Sequence, residues 1–384
     1  MTGTAIFKER KQAEEETGVS SFLSMVRPYP QRIEQVRRRI IQAGADTMLV
    51  THPPNILYLT GFSGTAGALL IEPARVILFT DGRYATQSAE EVKEARVRVC
   101  RGPLLGAVGE HLRKKKKARV IYESAQMTVA ENFRVGQAAG RAVRWLGRES
   151  LVEELRAVKD SEEIAAMRQA AQLGCEVFQE ILSLVKPGVR EVELAAEIEY
   201  RMRRKGASGA AFDTIVASGQ RAALPHARPT EKRVGKNELV VLDLGAILSH
   251  YCCDLTRTVY IGRAPGRIRR WYQGVQQAQA AALETLRAGA AAGEVDAAAR
   301  RVLKGYRLAH HFVHSTGHGL GLEVHEVPRL AKGQKGLLQA GNVVTLEPGV
   351  YVPGVGGIRV EDDVAVFADR TEVLTTAPRD FLEL

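Results

Sequence analysis

Residues 314–326, HSTGHGLGLEVHE, set His314, His318 and His325 among Gly317, Gly319 and Gly321. Imidazoles at that density can ligate a metal or donate hydrogen bonds to a carbonyl. His314 and His318 stand four apart, the spacing that lets one face of a helix clamp zinc. The glycines argue against a helix, because each costs roughly 1 kcal/mol relative to alanine at an interior helical position. A helical zinc pair is therefore not expected, and the partners of these imidazoles must come from elsewhere. Acidic residues can supply them. Asp243 and Asp254 are equidistant from the Leu248/Ser249 junction, and Glu347 and Glu361 are equidistant from Gly354 inside the turn-forming PGVGG. Read as two β-hairpins, each presents a carboxylate pair on one side of its ladder, about 5 Å apart at Cβ. Four carboxylates converging among Val240, Val241, Leu242 and Val344 would repel one another and oppose folding unless cations neutralised them. Hard oxygen donors with one imidazole suit manganese, cobalt or zinc, and four carboxylates are enough to hold two divalent ions.

The elements that must carry these groups can be read along the chain. From Arg32, RIEQVRRRIIQAGADTMLV has the pattern of an amphipathic helix closed by Gly44 and followed by a buried strand. The short apolar runs NILYLTG, GALLIEP, RVILFTD, ARVRVC and ARVIY read as strands alternating with helices, an α/β domain with a mixed sheet that ends near residue 155. Beyond it, DSEEIAAMRQAAQLGCEVFQEILSLV is a long helical pattern with Asp160 or Ser161 as N-cap, broken by Lys186-Pro187-Gly188, and REVELAAEIEYRMRRKG opens a second helix. The strands ELVVLDLGAIL and YCCDLTRTVYIG follow. The order then recurs: helices near Arg267–Arg287 and Val295–Tyr306, then the strands NVVTLEPGVYV and GIRVEDDVAVF. Helix, helix, hairpin appears twice, which reads as a duplicated unit. The expected organisation is a polar extension over residues 1–28, an α/β domain over 29–155 and a catalytic α+β domain over 156–384.

At 384 residues the chain exceeds the size at which a single core stops growing, so two domains are the natural reading. The formal net charge of +10 permits attraction to nucleic acid. Its densest cluster, RKKKK at Arg113–Lys117, has no interleaved aromatic residues of the kind that stack on bases, so a solvated loop or helix end is expected and nucleic acid is not. The cysteines, Cys100, Cys175, Cys252 and Cys253, show no CxxC spacing and suit a reducing cytoplasm. The first residues are too charged for a signal peptide, and no apolar run approaches the roughly 20 residues that span a bilayer, so no membrane partner is expected.

The set LDLGAILSHYCCDLTRT, HSTGHGLGLEVHE, TLEPGVY and GIRVED resembles the pita-bread metallopeptidases, specifically the Xaa-Pro aminopeptidases (aminopeptidase P) and their Xaa-Pro dipeptidase (prolidase) relatives, over most of residues 160–366. The resemblance implies a pita-bread catalytic domain in which Asp243, Asp254, His318, Glu347 and Glu361 ligate two divalent ions, Mn2+ first and Co2+ or Zn2+ as alternatives, with Asp254 and Glu361 bridging. It implies that His226, His314 and His325 face the substrate, that Tyr351 lines its pocket, and that Thr256 and Arg359 orient the ligands. Glu347 would also shuttle a proton from a metal-bridging hydroxide's parent water to the leaving proline nitrogen. THPPNILYLTGFSGTAGALLI and LFTDGRYATQ resemble the creatinase-like N-terminal domain of the aminopeptidases more than that of the dipeptidases. The implied activity is an Xaa-Pro aminopeptidase acting on peptides with proline in second position, as a homodimer. The alternatives are an Xaa-Pro dipeptidase and, in another class, a non-catalytic RNA- or protein-binding relative.

Overall fold

The structure is a computed structural model, and its described residues are 28–115 and 117–384. All of the polar extension expected at residues 1–28 except Pro28 lies outside them, as does Lys116 of the basic run. The chain divides into two compact units, with the boundary between Leu151 and Val152.

The first unit comprises α1 (Tyr29–Gln42), β1 (Thr47–Val50), α2 (Pro53–Thr60), β2 (Gly67–Ile71), β3 (Val76–Asp81), α3 (Ala85–Glu91), β4 (Arg96–Cys100), α4 (Leu104–Arg113), β5 (Ala118–Glu123), α5 (Val129–Ala139) and β6 (Val143–Arg148). The strands form one sheet in the order β4-β3-β2-β1-β5-β6. β1, β2 and β3 pair antiparallel, whereas β1–β5, β5–β6 and β3–β4 are parallel, so the sheet is mixed as its sequence implied. NILYLTG departs from that reading, because it lies in α2 and is not a strand. Pro53 and Pro54 occupy the first helical turn, where a missing N–H costs nothing, and Gly61 closes the helix at φ 75°. These flanking signals outweigh the β-preference of the apolar run between them. The basic run falls at the C-terminal end of α4, where Lys115 pairs with Glu72 at 2.6 Å.

The second unit opens with α6 (Glu153–Arg156), α7 (Ser161–Ile181) and α8 (Glu191–Arg204), then β7 (Gly209–Ala210), β8 (Ile215–Ser218), β9 (Leu239–Leu244), β10 (Ala246–Leu248), β11 (Tyr251–Cys252) and β12 (Leu255–Tyr260). A second run follows: α9 (Gly266–Thr285), α10 (Ala292–Gly305), β13 (Gly317–Gly319), β14 (Glu326–Leu330), β15 (Val343–Leu346), β16 (Gly349–Val352), β17 (Gly356–Arg359), β18 (Asp362–Val366) and β19 (Thr371–Val373). Helix, helix and strand ribbon thus recur in order. Asp160 caps α7, accepting the N–H groups of Glu162 and Glu163 in a capping box that satisfies donors the helix leaves unpaired.

β9 explains how an acid comes to lie in an apolar interior. Its even-numbered residues Val240, Leu242 and Leu244 pack into a core with α7 and α8, and its odd-numbered residues Leu239 and Val241 pack into a second core with α9, α10 and β15. Both faces are buried, and by strand alternation Asp243 shares the face of Leu239 and Val241. Its cross-strand neighbour is Thr256.

The hairpin register differs from the sequence expectation by one residue. Leu248 pairs with Tyr251 and Ile247 with Cys252, leaving Ser249 and His250 as a two-residue turn with φ of 49° and 73°. Positive φ at both central positions matches the twist of a tight hairpin turn, and this moves the centre from the Leu248/Ser249 junction to between Ser249 and His250. Asp243 therefore does not face Asp254. Asp254 lies at a break in the ladder opposite Gly245, where a Cβ would stand 2.3 Å from the Cys253 carbonyl. The second ribbon keeps the expected register: Gly349 pairs with Arg359 and Leu346 with Asp362, which sets Glu347 and Glu361 opposite each other about Gly354.

Candidate metal centre

The two ribbons meet where the Glu361 N–H donates to the Thr256 carbonyl at 3.1 Å and the Arg359 N–H donates to the Thr258 hydroxyl at 3.0 Å. That junction brings the acids of both hairpins together. Donor atoms of Asp254, His318 and Glu361 all lie within 4.8 Å of one another. His318 Nε2 stands 3.9 Å from Asp254 Oδ2 and 3.6 Å from Glu347 Oε1. Asp243 joins through Arg359, whose Nη2 donates to Asp243 Oδ2 at 2.5 Å.

His318 sits in β13, not in a helix, which accounts for its glycine neighbours. A Cβ at Gly317 would lie 1.9 Å from the Thr345 carbonyl and one at Gly319 would lie 2.4 Å from the Val327 carbonyl, so β13 fits between β14 and β15 only without side chains there. His318 Nδ1 lies 3.0 Å from the Gly319 carbonyl, and Nδ1–H donates to it. That fixes the tautomer and leaves the Nε2 lone pair aimed at the acids, the orientation a metal-ligating imidazole needs. Burial, with His325 beside it, lowers His318 to about 4, so the ring is neutral at physiological pH.

The carboxyl groups are strained electrostatically. Burial, then Glu361, Asp243 and further acids, hold Asp254 well above the ordinary carboxyl range. Burial, then Glu347 and Asp243, do the same to Glu361. Glu347 is raised to about 7, again chiefly by burial. Asp243 Oδ1 and Asp254 Oδ1 are buried without a hydrogen-bond partner, a cost of about 1–3 kcal/mol each if they stayed so. Buried oxygens without donors, carboxyls driven toward neutrality by burial and by one another, and one neutral imidazole offering a lone pair make a donor set that fits divalent cations.

Thr256 and Arg359 support this set directly. The Thr256 hydroxyl donates to Glu361 Oε2 at 2.5 Å and accepts from Arg359 Nε at 3.0 Å. Arg359 Nη1 donates to the Tyr351 hydroxyl at 2.7 Å, and that hydroxyl lies 2.8 Å from His314 Nε2. His314 Nδ1 lies 2.8 Å from the Ser315 carbonyl, so Nδ1–H donates there and Nε2 accepts from Tyr351. Burial and Arg359 lower His314 to about 4, consistent with a neutral ring. Both of its nitrogens are thereby engaged, and Nδ1 stands 3.8 Å from Glu347 Oε2. Tyr351 is buried as part of that relay. His325 lies with its ring 4.4 Å from His318, edge to face, and is lowered by burial and by His226, which is itself exposed.

Two acidic positions escaped sequence reasoning. Asp363 Oδ2 accepts the Asp254 N–H at 2.9 Å and so holds the backbone of a central acid. Asp296 accepts both the N–H and the hydroxyl of Thr316, at 3.1 and 2.9 Å, while Arg300 reaches the His314 carbonyl at 2.6 Å, fixing the histidine segment from α10. The run Glu361-Asp362-Asp363 within an apolar strand was a signal for the first. Nothing in the sequence marks Asp296.

Residues 165–368 match metallopeptidase family M24, and residues 32–158 match the creatinase/prolidase N-terminal domain. The chain belongs to metallopeptidase family M24. Among relatives of this M24 peptidase, an Xaa-Pro dipeptidase of Pyrococcus furiosus is 33% identical over 92% of this chain and 99% of its own. An Xaa-Pro dipeptidase from Bacillus anthracis has a solved structure with TM-score 0.88 and 36% identity, covering 93% of this chain and 100% of that one. An X-Pro aminopeptidase from Thermotoga maritima has TM-score 0.84 and 34% identity, covering 91% and 100%. Such neighbours confirm the pita-bread architecture and the Xaa-Pro peptidase grouping, and their names favour the dipeptidase alternative over the aminopeptidase expectation. All four cysteines are free and buried, and among the described residues no helix is long and apolar enough to cross a membrane.

Proposed function

We propose that this M24 peptidase is an Xaa-Pro dipeptidase, hydrolysing the bond between a residue and the proline that follows it. The reading is carried by the buried convergence of Asp254, His318 and Glu361 beside Glu347, with Asp243 tied to the same cluster by Arg359. It is supported by the dipeptidase names of similar chains. Asp243, Asp254, His318, Glu347 and Glu361 would hold two divalent ions, manganese first, which would supply Lewis acidity to lower the pKa of a water and polarise the scissile carbonyl. A homodimer in a reducing cytoplasm belongs to the same proposal.

The chain's own residues then have distinct tasks. Glu347 takes a proton at a carboxylate oxygen and delivers it to the proline nitrogen, which leaves poorly as an unprotonated amide. Its carboxyl lies beside His318, with Oε1 3.6 Å from His318 Nε2, within the same cluster. His325 and His226 donate N–H groups toward the scissile carbonyl and the oxyanion it becomes. His314 faces the substrate beside them, with its Nε2 2.8 Å from the Tyr351 hydroxyl. Asp243 receives the substrate's free amino terminus.

The second reading, an Xaa-Pro aminopeptidase, draws on the Thermotoga maritima neighbour and on the TDGRY segment at residues 80–84. Parallel assays with an Xaa-Pro dipeptide and a longer Xaa-Pro-Xaa peptide discriminate the two. Cleavage of the dipeptide alone supports the proposal, and efficient release of the first residue from the longer peptide replaces it with the aminopeptidase.

A further inference from the structure

The segment leading from α6 into α7 carries two cations into the interior of the second unit. Arg156, 1% exposed, donates through Nη2 to Glu323 Oε2 at 2.8 Å and to Glu326 Oε1. Lys159 Nζ donates to Glu326 Oε2 at 3.0 Å. Each oxygen of Glu326 is therefore gripped by a different cation. Burial alone would raise this carboxyl, but Lys159 and Arg156 hold it below the usual range, so it stays ionised. The Glu323 N–H adds a bond to Glu326 Oε1 at 3.2 Å. The cluster is closely packed as well: a Cβ at Gly321 would lie 2.9 Å from Glu326 Oε2 and 3.0 Å from Lys159 Cε.

A buried ion cluster of this kind is no more stable than apolar packing of the same volume, so stability alone does not account for it. What it contributes is direction. Glu326 opens β14 and pairs with Gly319 at the register shift beside His318. His325 immediately precedes this strand, so anchoring the Glu326 side chain fixes the backbone from which the His325 ring projects. His314 and His318 are each fixed by a ring nitrogen bonded to a neighbouring carbonyl. Among the described residues no hydrogen bond fixes the His325 ring, and its placement depends on the backbone and on the His318 ring at 4.4 Å.

We infer that Arg156 and Lys159 are positioning residues which, by clamping Glu326, set the direction in which His325 faces the substrate and so govern turnover without touching it. The inference rests on the reading of His325 as a substrate-side donor. The test uses the full-length, metal-loaded protein with Arg156→Met, Arg156→Lys and Lys159→Met, each alone and combined with His325→Ala, measuring kcat and KM for an Xaa-Pro dipeptide and bound metal. Misplacing a group by about 1 Å can cost about a hundredfold. Arg156→Met is expected to lower kcat roughly tenfold or more with KM within about twofold and metal retained, and Arg156→Lys to recover part of that loss. Combined with His325→Ala, the Arg156→Met effect shrinks to less than about twofold, since coupled positions are not additive. In histidine-selective NMR spectra, Arg156→Met shifts the His325 ring resonances and leaves those of His314 in place. An undiminished effect in the His325→Ala background, or wild-type kcat with only a lower melting temperature, overturns the inference. Unchanged kinetics of His325→Ala alone refutes the substrate-side reading itself and removes the ground for this one. Should Arg156→Met fail to fold, Glu326→Gln and Lys159→Met are read by the same criteria.

Discussion

In the metal-free protein Glu347 should withdraw stability as pH rises, and the size of that contribution can be worked out. Its carboxyl is raised from 4.5 to about 7 in the folded chain, chiefly by burial. Below pH 4.5 it is protonated in both folded and unfolded states and contributes no difference. Between 4.5 and 7 the unfolded chain ionises while the folded chain does not, so stability falls with each pH unit, and above 7 the loss is complete. At 1.36 kcal/mol per unit, the shift corresponds to about 3 kcal/mol, a large share of a typical 5–15 kcal/mol total. Asp254 and Glu361 act in the same direction, whereas His314 and His318, lowered to about 4, add stability as pH rises toward 6.5, so the Glu347 contribution is read by comparison with Glu347→Gln and not from the net profile. The chain has two tryptophans, Trp145 in the first unit and Trp271 in α9. Trp145→Phe therefore leaves fluorescence that reports the catalytic unit alone. Urea unfolding with chelator at pH 5 and pH 8 should show the change in stability between the two to be about 2–3 kcal/mol less favourable in the parent than in Glu347→Gln. Equal pH dependence in Glu347→Gln and its parent, or a larger loss toward pH 8 in Glu347→Gln, would rule out the raised Glu347 carboxyl.

Further outcomes follow from the same geometry. Glu347→Ala should abolish turnover while leaving the metal-loaded fold intact, since it removes both a ligand and the proton carrier; activity comparable to the parent in the same assay would rule out that role. Thr256→Val deletes the hydroxyl between Glu361 and Arg359, and metal affinity measured by competition with a chelator should fall roughly ten- to a hundredfold, with no change if Thr256 is only packing. His226→Ala should lower kcat without altering bound metal by elemental analysis, and loss of an ion would place that ring among the ligands.

Much of this site was legible because its signals are local. Glycine, proline and acidic residues placed about Gly354 gave the register of the second ribbon, and the glycines around His318 excluded a helix for a reason the structure makes explicit, the lack of room for any Cβ. The first ribbon was misread by one residue because Ser249 and His250, neither a glycine, adopt positive φ, and turn chemistry gave no warning. NILYLTG was misread because an apolar run carries no period of its own, and Pro53, Pro54 and Gly61 decided it. The grip of Arg156 and Lys159 on Glu326, more than 160 positions away, and that of Asp296 on Thr316 belong to tertiary packing, which no spacing in one sequence encodes.

The central claim is that acids from two ribbons, with His318, form a site whose function depends on divalent cations. It is tested most directly by stripping the protein with chelator and titrating it with Mn2+ while bound ion and Xaa-Pro hydrolysis are followed together. The stripped protein is expected to show no hydrolysis, binding to saturate at two ions per chain, and activity to appear with occupancy and to be absent when Asp254 or Glu361 is replaced by alanine. Full hydrolysis by a chain shown to hold no metal, or saturable binding undisturbed by loss of those carboxylates, would contradict it.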